Sequence, residues 1–324
     1  MIIARSPLRI SLGGGGTDLP SYYRQFGGLV VSAAIDKYVY VAVNRTFLPH
    51  LLIRYSQIET VGHPRDVAHP IVREALALLG IEETNLEITT LADIPAGTGL
   101  GSSGSFTTAL MKALYKHQRQ LIEPRRLAEL ACHIEIERLG EPSGKQDPYA
   151  AAFGGISAFA IAPSGEVSVE PLAISQETLE RLGDGLLMFS TGIVRRSTAL
   201  LADQDQRTRE GDAAMLDNLH TIRRLGEASR AALLRGDVDE LGRLMHEHWL
   251  AKRARSQGMT SDRIDAWYER GRAAGALGGK LIGAGGGGFL LFVTADPVKL
   301  RAGLAGSGLV EMRFGFDFEG TKVL

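Results

Sequence analysis

The sequence predicts an α+β fold in two domains, residues 1–180 and 181–324. Three observations carry this. The chain has 324 residues, 44% of them hydrophobic, enough for a sizeable core and two domains. Apolar strand-like runs and amphipathic helical stretches follow one another without the regular strand–helix–strand alternation of a doubly wound sheet. A composition shift over 165–185, opened by Pro163-Ser164-Gly165-Glu166, separates a strand-rich first half from long, charged helical segments.

The elements follow in order. Leu29–Ile35 and Tyr38–Val43 are β-branched or aromatic runs, and Asp36-Lys37 between them predicts a hairpin. Leu86–Leu91 and Ile156–Ile161 predict further strands. After Ser103, Phe106, Ala109, Leu110, Ala113 and Leu114 recur on one helical stripe. A second helix starts at Pro124, a favoured first-turn residue, and buries Leu127, Leu130, Ala131 and Ile134. Beyond the shift, Leu186–Ser190 predicts a strand, then helices over 200–234, 237–256 and 262–275, then strands at Phe289–Val293 and Leu309–Phe314.

Charge and cysteine content narrow the function classes. Lys and Arg total 36 against 37 Asp and Glu, so the chain lacks the basic excess of a nucleic-acid or membrane-surface binder. The single cysteine, Cys132, excludes an internal disulfide framework and fits a reducing compartment. The first residues lack a signal peptide's apolar core, and no run approaches a membrane span. The expectation is a cytoplasmic protein.

Glycine is in excess: 39 residues, about 12% of the chain against about 7% in average proteins. Thirteen of the 39 sit in three clusters, and the remainder is close to the ordinary level. The first cluster is Pro7-Leu8-Arg9-Ile10-Ser11-Leu12-Gly13-Gly14-Gly15-Gly16-Thr17-Asp18. Its glycines let a ligand approach the backbone, and Asp18 offers a carboxylate to hydroxyl groups. A flexible turn with an N-capping Asp accounts for the same residues equally well. The second is Pro95-Ala96-Gly97-Thr98-Gly99-Leu100-Gly101-Ser102-Ser103-Gly104-Ser105, running into the amphipathic helix. Exposed N–H groups at a helix N-terminus make an anion cradle, and Ser102, Ser103 and Ser105 can add hydroxyl donors. This loop is over-built for a simple N-cap. The third, Lys280-Leu281-Ile282-Gly283-Ala284-Gly285-Gly286-Gly287-Gly288-Phe289, reads as a helix–loop–strand junction.

Gly99-x-Gly101-x-x-Gly104 matches the dinucleotide fingerprint formally, but Asp93–Thr98 intervenes after the strand, and the residues near 120–125 lead into a helix. The match reads as accidental; a nicotinamide-dependent dehydrogenase rests on it alone, and absence of NAD(H) binding would dismiss that alternative. The GxxxxGK[ST] pattern is absent.

Two carboxylates lie between the clusters. Glu135 is one residue from its helix's apolar stripe, and Asp147 follows the Pro142-Ser143-Gly144 break before a run of small residues. Partial desolvation there would raise basicity. Taken alone, Glu135 also fits a solvated or salt-bridged helix position. His246 and His248 stand about 200° apart on a helix and cannot share one metal. Trp249 reads as packing, adjacent Cys132 and His133 point in different directions, and Lys252-Arg253-Ala254-Arg255 reads as a solvated helix end.

The three clusters, in this order, resemble the GHMP small-molecule kinases. Pro95–Ser103 matches that family's phosphate loop, P-x-G-x-G-L-G-S-S, at every specified position, and Lys280–Gly288 resembles its C-terminal glycine motif. Pro7–Asp18 is similar to the galactokinase signature. The resemblance implies a ribosomal-protein-like N-terminal α+β domain, a ferredoxin-like C-terminal domain and an active site between them. It implies an ATP-dependent phosphotransferase acting on a sugar hydroxyl. ATP would lie on Pro95, Gly97, Thr98, Gly99, Leu100, Gly101, Ser102, Ser103, Gly104 and Ser105, with Mg²⁺ on Ser103 and Glu135. Asp147 would be the catalytic carboxylate and Arg9 its cationic neighbour. Gly14, Gly15, Gly16, Thr17, Asp18, Gly285, Gly286 and Gly287 would face the sugar.

Within the family the likeness is nearest to bacterial D-glycero-D-manno-heptose 7-phosphate kinases, over Ser11–Pro20, Lys145–Gly155, His246–Trp249 and Gly275–Phe292. One departure is physically readable: the galactokinase Glu-His pair is Gly15-Gly16 here, which makes room for a longer, anionic sugar. Lys145, Arg195 and Arg196 are candidate partners for its distal phosphate. Other aldoses such as L-fucose or galactose, and a non-catalytic sensor on the same fold, remain as alternatives. The base pocket is not fixed by the sequence; the segment Tyr55–Pro70 is put forward for it. No nucleic acid or membrane partner is expected, and homodimerisation is left open.

Overall fold

The computed structural model describes residues 1–194 and 198–324. The first sheet is built on two long strands, β1 (Ile2–Gly13) and β2 (Gly28–Arg45). They pair antiparallel along their length. The expected hairpin at Asp36-Lys37 is not there. Pairing steps from Pro7↔Tyr38 to Leu8↔Ile35, so Asp36 and Lys37 bulge out of a single continuous strand. The bulge bends β2, and its two halves meet different partners. The first half pairs with β6 (Ile156–Ile161) and the second with β5 (Leu86–Ala92). Short strands β3 (Leu51–Arg54), β4 (Ile58–Val61) and β7 (Val167–Pro171) extend the edges. The last strand, β12 (Lys322–Val323), returns to pair with β1.

Helices α1 (Pro20–Phe26), α2 (Pro70–Leu78), α3 (Ser102–His117), α4 (Pro124–Cys132) and α5 (Gln146–Phe153) accompany this sheet. The stripe predicted on α3 is buried against β1, β2 and α5. Helix α4 does not simply stop. It widens into a π-helical turn, His133–Arg138, closed by Leu139 N–H donating to the Ile134 carbonyl at 3.0 Å. Such turns re-aim side chains, and here Glu135 is buried.

The second sheet is β8 (Leu186–Ser190), β9 (Ala276–Leu281), β10 (Phe289–Thr294) and β11 (Val310–Met312), in the order β11-β8-β10-β9. Helix α6 (Gln176–Gly185) leads into β8, and α7 (Thr198–Arg209), α8 (Ala213–Leu234), α9 (Val238–Arg253) and α10 (Asp262–Ala273) follow it. Helix α11 (Pro297–Leu304) connects β10 to β11. This strand order and connectivity are ferredoxin-like. The helix expected over 200–234 is two, broken at Gly211, with Asp212 capping the second through Met215 N–H at 3.0 Å. The third glycine cluster is also not a helix–loop–strand junction. Gly278 and Gly279 lie in β9, so the loop joins two strands. Two glycines hid that strand from a propensity reading. They are small because the α9 backbone and Phe292 pack directly on them. No described helix is long and apolar enough to cross a membrane.

Candidate active site

The sheets and helices leave a cleft of about 750 Å³, lined from both halves of the chain. Strand β1 carries Arg9 and Ser11 to it and then turns through Gly15 and Gly16 to Asp18. The loop before α3 contributes Pro95, Gly97, Gly99, Gly101, Ser102 and Ser103. Gln146 and Asp147, in the first turn of α5, form another wall. From the second half come Gln204 on α7, His248 and Lys252 on α9, Arg255 just beyond it, Lys280 on β9, and Gly283. Tyr55, Ser56, His69 and Ile71 lie in the same cleft, within the segment put forward for a base pocket.

At the centre, Arg9 clamps Asp147. Its Nε donates to Asp147 Oδ1 at 2.7 Å, its Nη2 lies 2.6 Å from the same oxygen, and its Nη1 donates to the Gly99 carbonyl at 2.6 Å. One guanidinium thus ties the carboxylate to the glycine loop in a fixed fork. Asp18 accepts from the backbone N–H groups of Gly16 at 3.1 Å and Gln146 at 3.0 Å. Burial, together with the nearby Asp147 charge, raises its carboxyl above the ordinary range.

Glu135 lies beside Ser103 and Ser143 and accepts from Thr107 Oγ1 at 2.7 Å. Burial, and then the Asp147 charge, push its carboxyl up to about 7. A buried carboxylate beside a serine hydroxyl is a hard oxygen donor pair. It suits Mg²⁺, which keeps several waters and phosphate oxygens and needs few protein ligands. Among the described residues no group of three or more His, Cys, Asp or Glu is arranged to hold a metal ion.

Several sequence-named residues do other work. Thr17 Oγ1 donates to the carbonyls of Gly14 and Leu29, and Ser105 Oγ to those of Pro7 and Gly101, so both are turned inward. Ser105 therefore does not offer its hydroxyl to the cleft. Thr98 Oγ1 donates to Pro95, Leu100 is core, and Gly104 lies under Asp147 and Pro148. Gly14 packs on the Leu29 carbonyl and Gly226. Gly285 and Gly287 pack against Met259 and Ile193, and Gly286 N–H donates to the Met259 carbonyl. The cleft residues of that loop are instead Gly283 and Ala284. Lys145 is also corrected: its ammonium donates to the Gly165 carbonyl and stands 5.4 Å from the Tyr23 ring centroid, away from the cleft. Arg195 and Arg196 lie outside the described residues.

The largest omission is a set of buried cations. Lys252 and Arg255 are not a solvated helix end; they are 5% and 6% exposed and face the cleft. Lys252 Nζ donates to the carbonyls of Leu281, at 2.9 Å, and Gly283. Lys280 Nζ lies 3.3 Å from His248 Nδ1. Arg255 donates through Nε to Asn218 at 3.1 Å and through Nη1 to Gln204 at 2.7 Å. A signal was available: His248, Lys252 and Arg255 fall at i, i+4 and i+7, in line with the buried Leu241 and Met245. Lys280 interrupts an otherwise small and apolar run.

A cleft that joins a glycine-rich helix N-terminus to a clamped carboxylate is built to hold a nucleotide phosphate against an acceptor. Family models agree. Residues 66–155 match the GHMP kinases N terminal domain and residues 229–307 the GHMP kinases C terminal domain. The chain belongs to the GHMP kinases, a family of ATP-dependent phosphotransferases.

Among its relatives is the D-glycero-alpha-D-manno-heptose 7-phosphate kinase of Campylobacter jejuni, 28% identical over 99% of this chain and 98% of that protein. A bifunctional fucokinase/GDP-fucose pyrophosphorylase of Arabidopsis thaliana is 27% identical over 91% of this chain, which spans 30% of that longer protein. In fold the chain is similar to the crystal structure of a D-glycero-D-manno-heptose 1-phosphate kinase from Bacteroides thetaiotaomicron, with a TM-score of 0.81, 24% identity, and coverage of 100% of this chain and 99% of that one.

Proposed function

We propose that this chain is a sugar kinase that transfers the γ-phosphate of ATP to the anomeric hydroxyl of D-glycero-D-manno-heptose 7-phosphate. The observation that carries the reading is the Arg9–Asp147 clamp, held at 2.6–2.7 Å beside the glycine loop. Asp147 orients the acceptor hydroxyl and takes its proton as the new O–P bond forms and the bond from the γ-phosphorus to the β–γ bridging oxygen breaks, with ADP leaving. Arg9 holds that carboxylate and adds positive charge beside the negative oxygens of the transferred phosphoryl group. The N–H groups of the Gly97–Ser103 loop receive the nucleotide phosphates, and Ser103 and Glu135 would hold Mg²⁺. When bound, Mg²⁺ supplies neutralisation of phosphate charge. Asp18, fixed by two backbone donors, is the hydroxyl-recognising carboxylate. Phosphoryl transfer has a loose transition state, so this positioning matters more than the strength of the base.

The acceptor assignment draws on the Campylobacter relative, matched over nearly its whole length. It also draws on Gly15-Gly16, where the galactokinase signature places a carboxylate. The test is ADP release with ATP and a panel of heptose 7-phosphate, mannose, L-fucose and galactose. The reading expects kcat/KM for heptose 7-phosphate to exceed the others by at least tenfold. A preference for fucose or galactose would replace the acceptor, and no turnover of any sugar would overturn the kinase reading.

A further inference from the structure

Arg255, Lys280 and Lys252 are buried together, with no carboxylate within 4.0 Å of any of them among the described residues. Burying unpaired cations is costly, and a native site that does so is normally waiting for an anion. Lys252 is spent on the carbonyls of Leu281 and Gly283, and Gly283 packs on Gly99, so it ties the two glycine loops together.

Arg255 sits differently. Its Nη1 donates to Gln204 Oε1, while Gln204 Nε2 donates to the Gly16 carbonyl at 2.8 Å, which locks the guanidinium onto the acceptor-side loop. Its Nη2 is buried and has no protein partner. Gly16 has φ +104°, and a Cβ there would lie 2.6 Å from Arg255 Nη1. The guanidinium therefore occupies the space that a side chain at position 16 would need. Lys280 has one partner, His248, which leaves ammonium protons unused.

We infer that Arg255 and Lys280 form the subsite for a second phosphate, the one the sugar already carries at its far end. This rests on the sugar-kinase reading and names residues for its acceptor's anion. Arg255 gives a planar donor edge, Lys280 a point charge, and Gln204 and Asn218 hold the guanidinium in place. The glycines at 15 and 16 then do more than make room: Gly16 admits the cation that recognises the phosphate.

The experiment compares heptose 7-phosphate with the same heptose lacking its phosphate, in wild type, Arg255→Gln, Lys280→Met and Gly16→Ala, each checked for a cooperative melt. The expected result is that the kcat/KM ratio, phosphorylated over unphosphorylated, falls about 10- to 100-fold in Arg255→Gln and Lys280→Met, mainly through KM. Gly16→Ala is expected to move the ratio the same way by displacing the guanidinium. An equal loss with both acceptors would assign these cations to the transferred phosphate and overturn the inference.

If wild type turns over neither heptose, the acceptor reading has failed, and the subsite is read independently. Inorganic phosphate is then titrated calorimetrically with the nucleotide site filled by a non-hydrolysable ATP analogue and Mg²⁺. Binding at least tenfold weaker in Arg255→Gln and Lys280→Met supports the anion subsite; equal affinities, or no binding by wild type, overturn it.

Discussion

Replacing Lys280 with Met should stabilise the ligand-free protein, and by an amount that depends on pH. Burial first, then the charges of Arg9 and Arg255, lower the Lys280 ammonium from 10.5 to about 7. At roughly 1.4 kcal/mol per pKa unit, holding it protonated in the fold costs roughly 4–5 kcal/mol. Met keeps the length and apolar stem but loses the contact with His248, worth about 1 kcal/mol. The expected gain at pH 6 is therefore about 3–4 kcal/mol.

Below pH 7 both folded and unfolded chains carry the proton, and the whole cost is present. Between 7 and 10.5 the unfolded chain binds the extra proton, so wild-type stability rises with pH and the advantage of Met shrinks by about 1.4 kcal/mol per unit. Urea unfolding of both proteins at pH 6, 7, 8 and 9 measures this directly. A variant less stable than wild type at pH 6, or a gain that does not change with pH, would refute the electrostatic reasoning.

The remaining predictions concern chemistry and packing. Asp147→Asn should lower kcat about 10²–10⁴-fold while nucleotide affinity stays near wild type; near-normal turnover would remove Asp147 from its role. Glu135→Ala should raise the Mg²⁺ concentration needed for half-maximal rate, and an unchanged Mg²⁺ titration would count against it as a ligand. Phe292, fully buried and stacked on Tyr268 at 5.7 Å, should cost about 3–5 kcal/mol when cut to Ala, read by urea unfolding; a loss under 1 kcal/mol would mean that the site collapses freely.

What could be read from the sequence was what lies contiguous in it. The loop from Pro95 to Ser103 carries its backbone N–H groups and hydroxyls in one stretch, so it was visible as an anion cradle before any fold was known. The Arg9–Asp147 clamp was visible only through family resemblance, because the two residues are 138 positions apart. Lys252 and Arg255 were misread because a Lys-Arg-Ala-Arg run at a helix end is ordinarily solvated. Their burial depends on β9, α7 and the first glycine loop closing over them, which no local window contains. Lys145 failed in the other direction: its neighbourhood in sequence is the active site, but its ammonium reaches Gly165. Strand β9 was lost because Gly278 and Gly279 follow packing against α9 and Phe292, not strand propensity.

The most direct test of the account is the product formed from ATP and heptose 7-phosphate, followed by ³¹P and ¹³C NMR. The account predicts a second phosphate on the anomeric oxygen, seen as new phosphorus coupling at C1 with the 7-phosphate retained. Phosphate on any other oxygen, or ADP release with no sugar product, would contradict it.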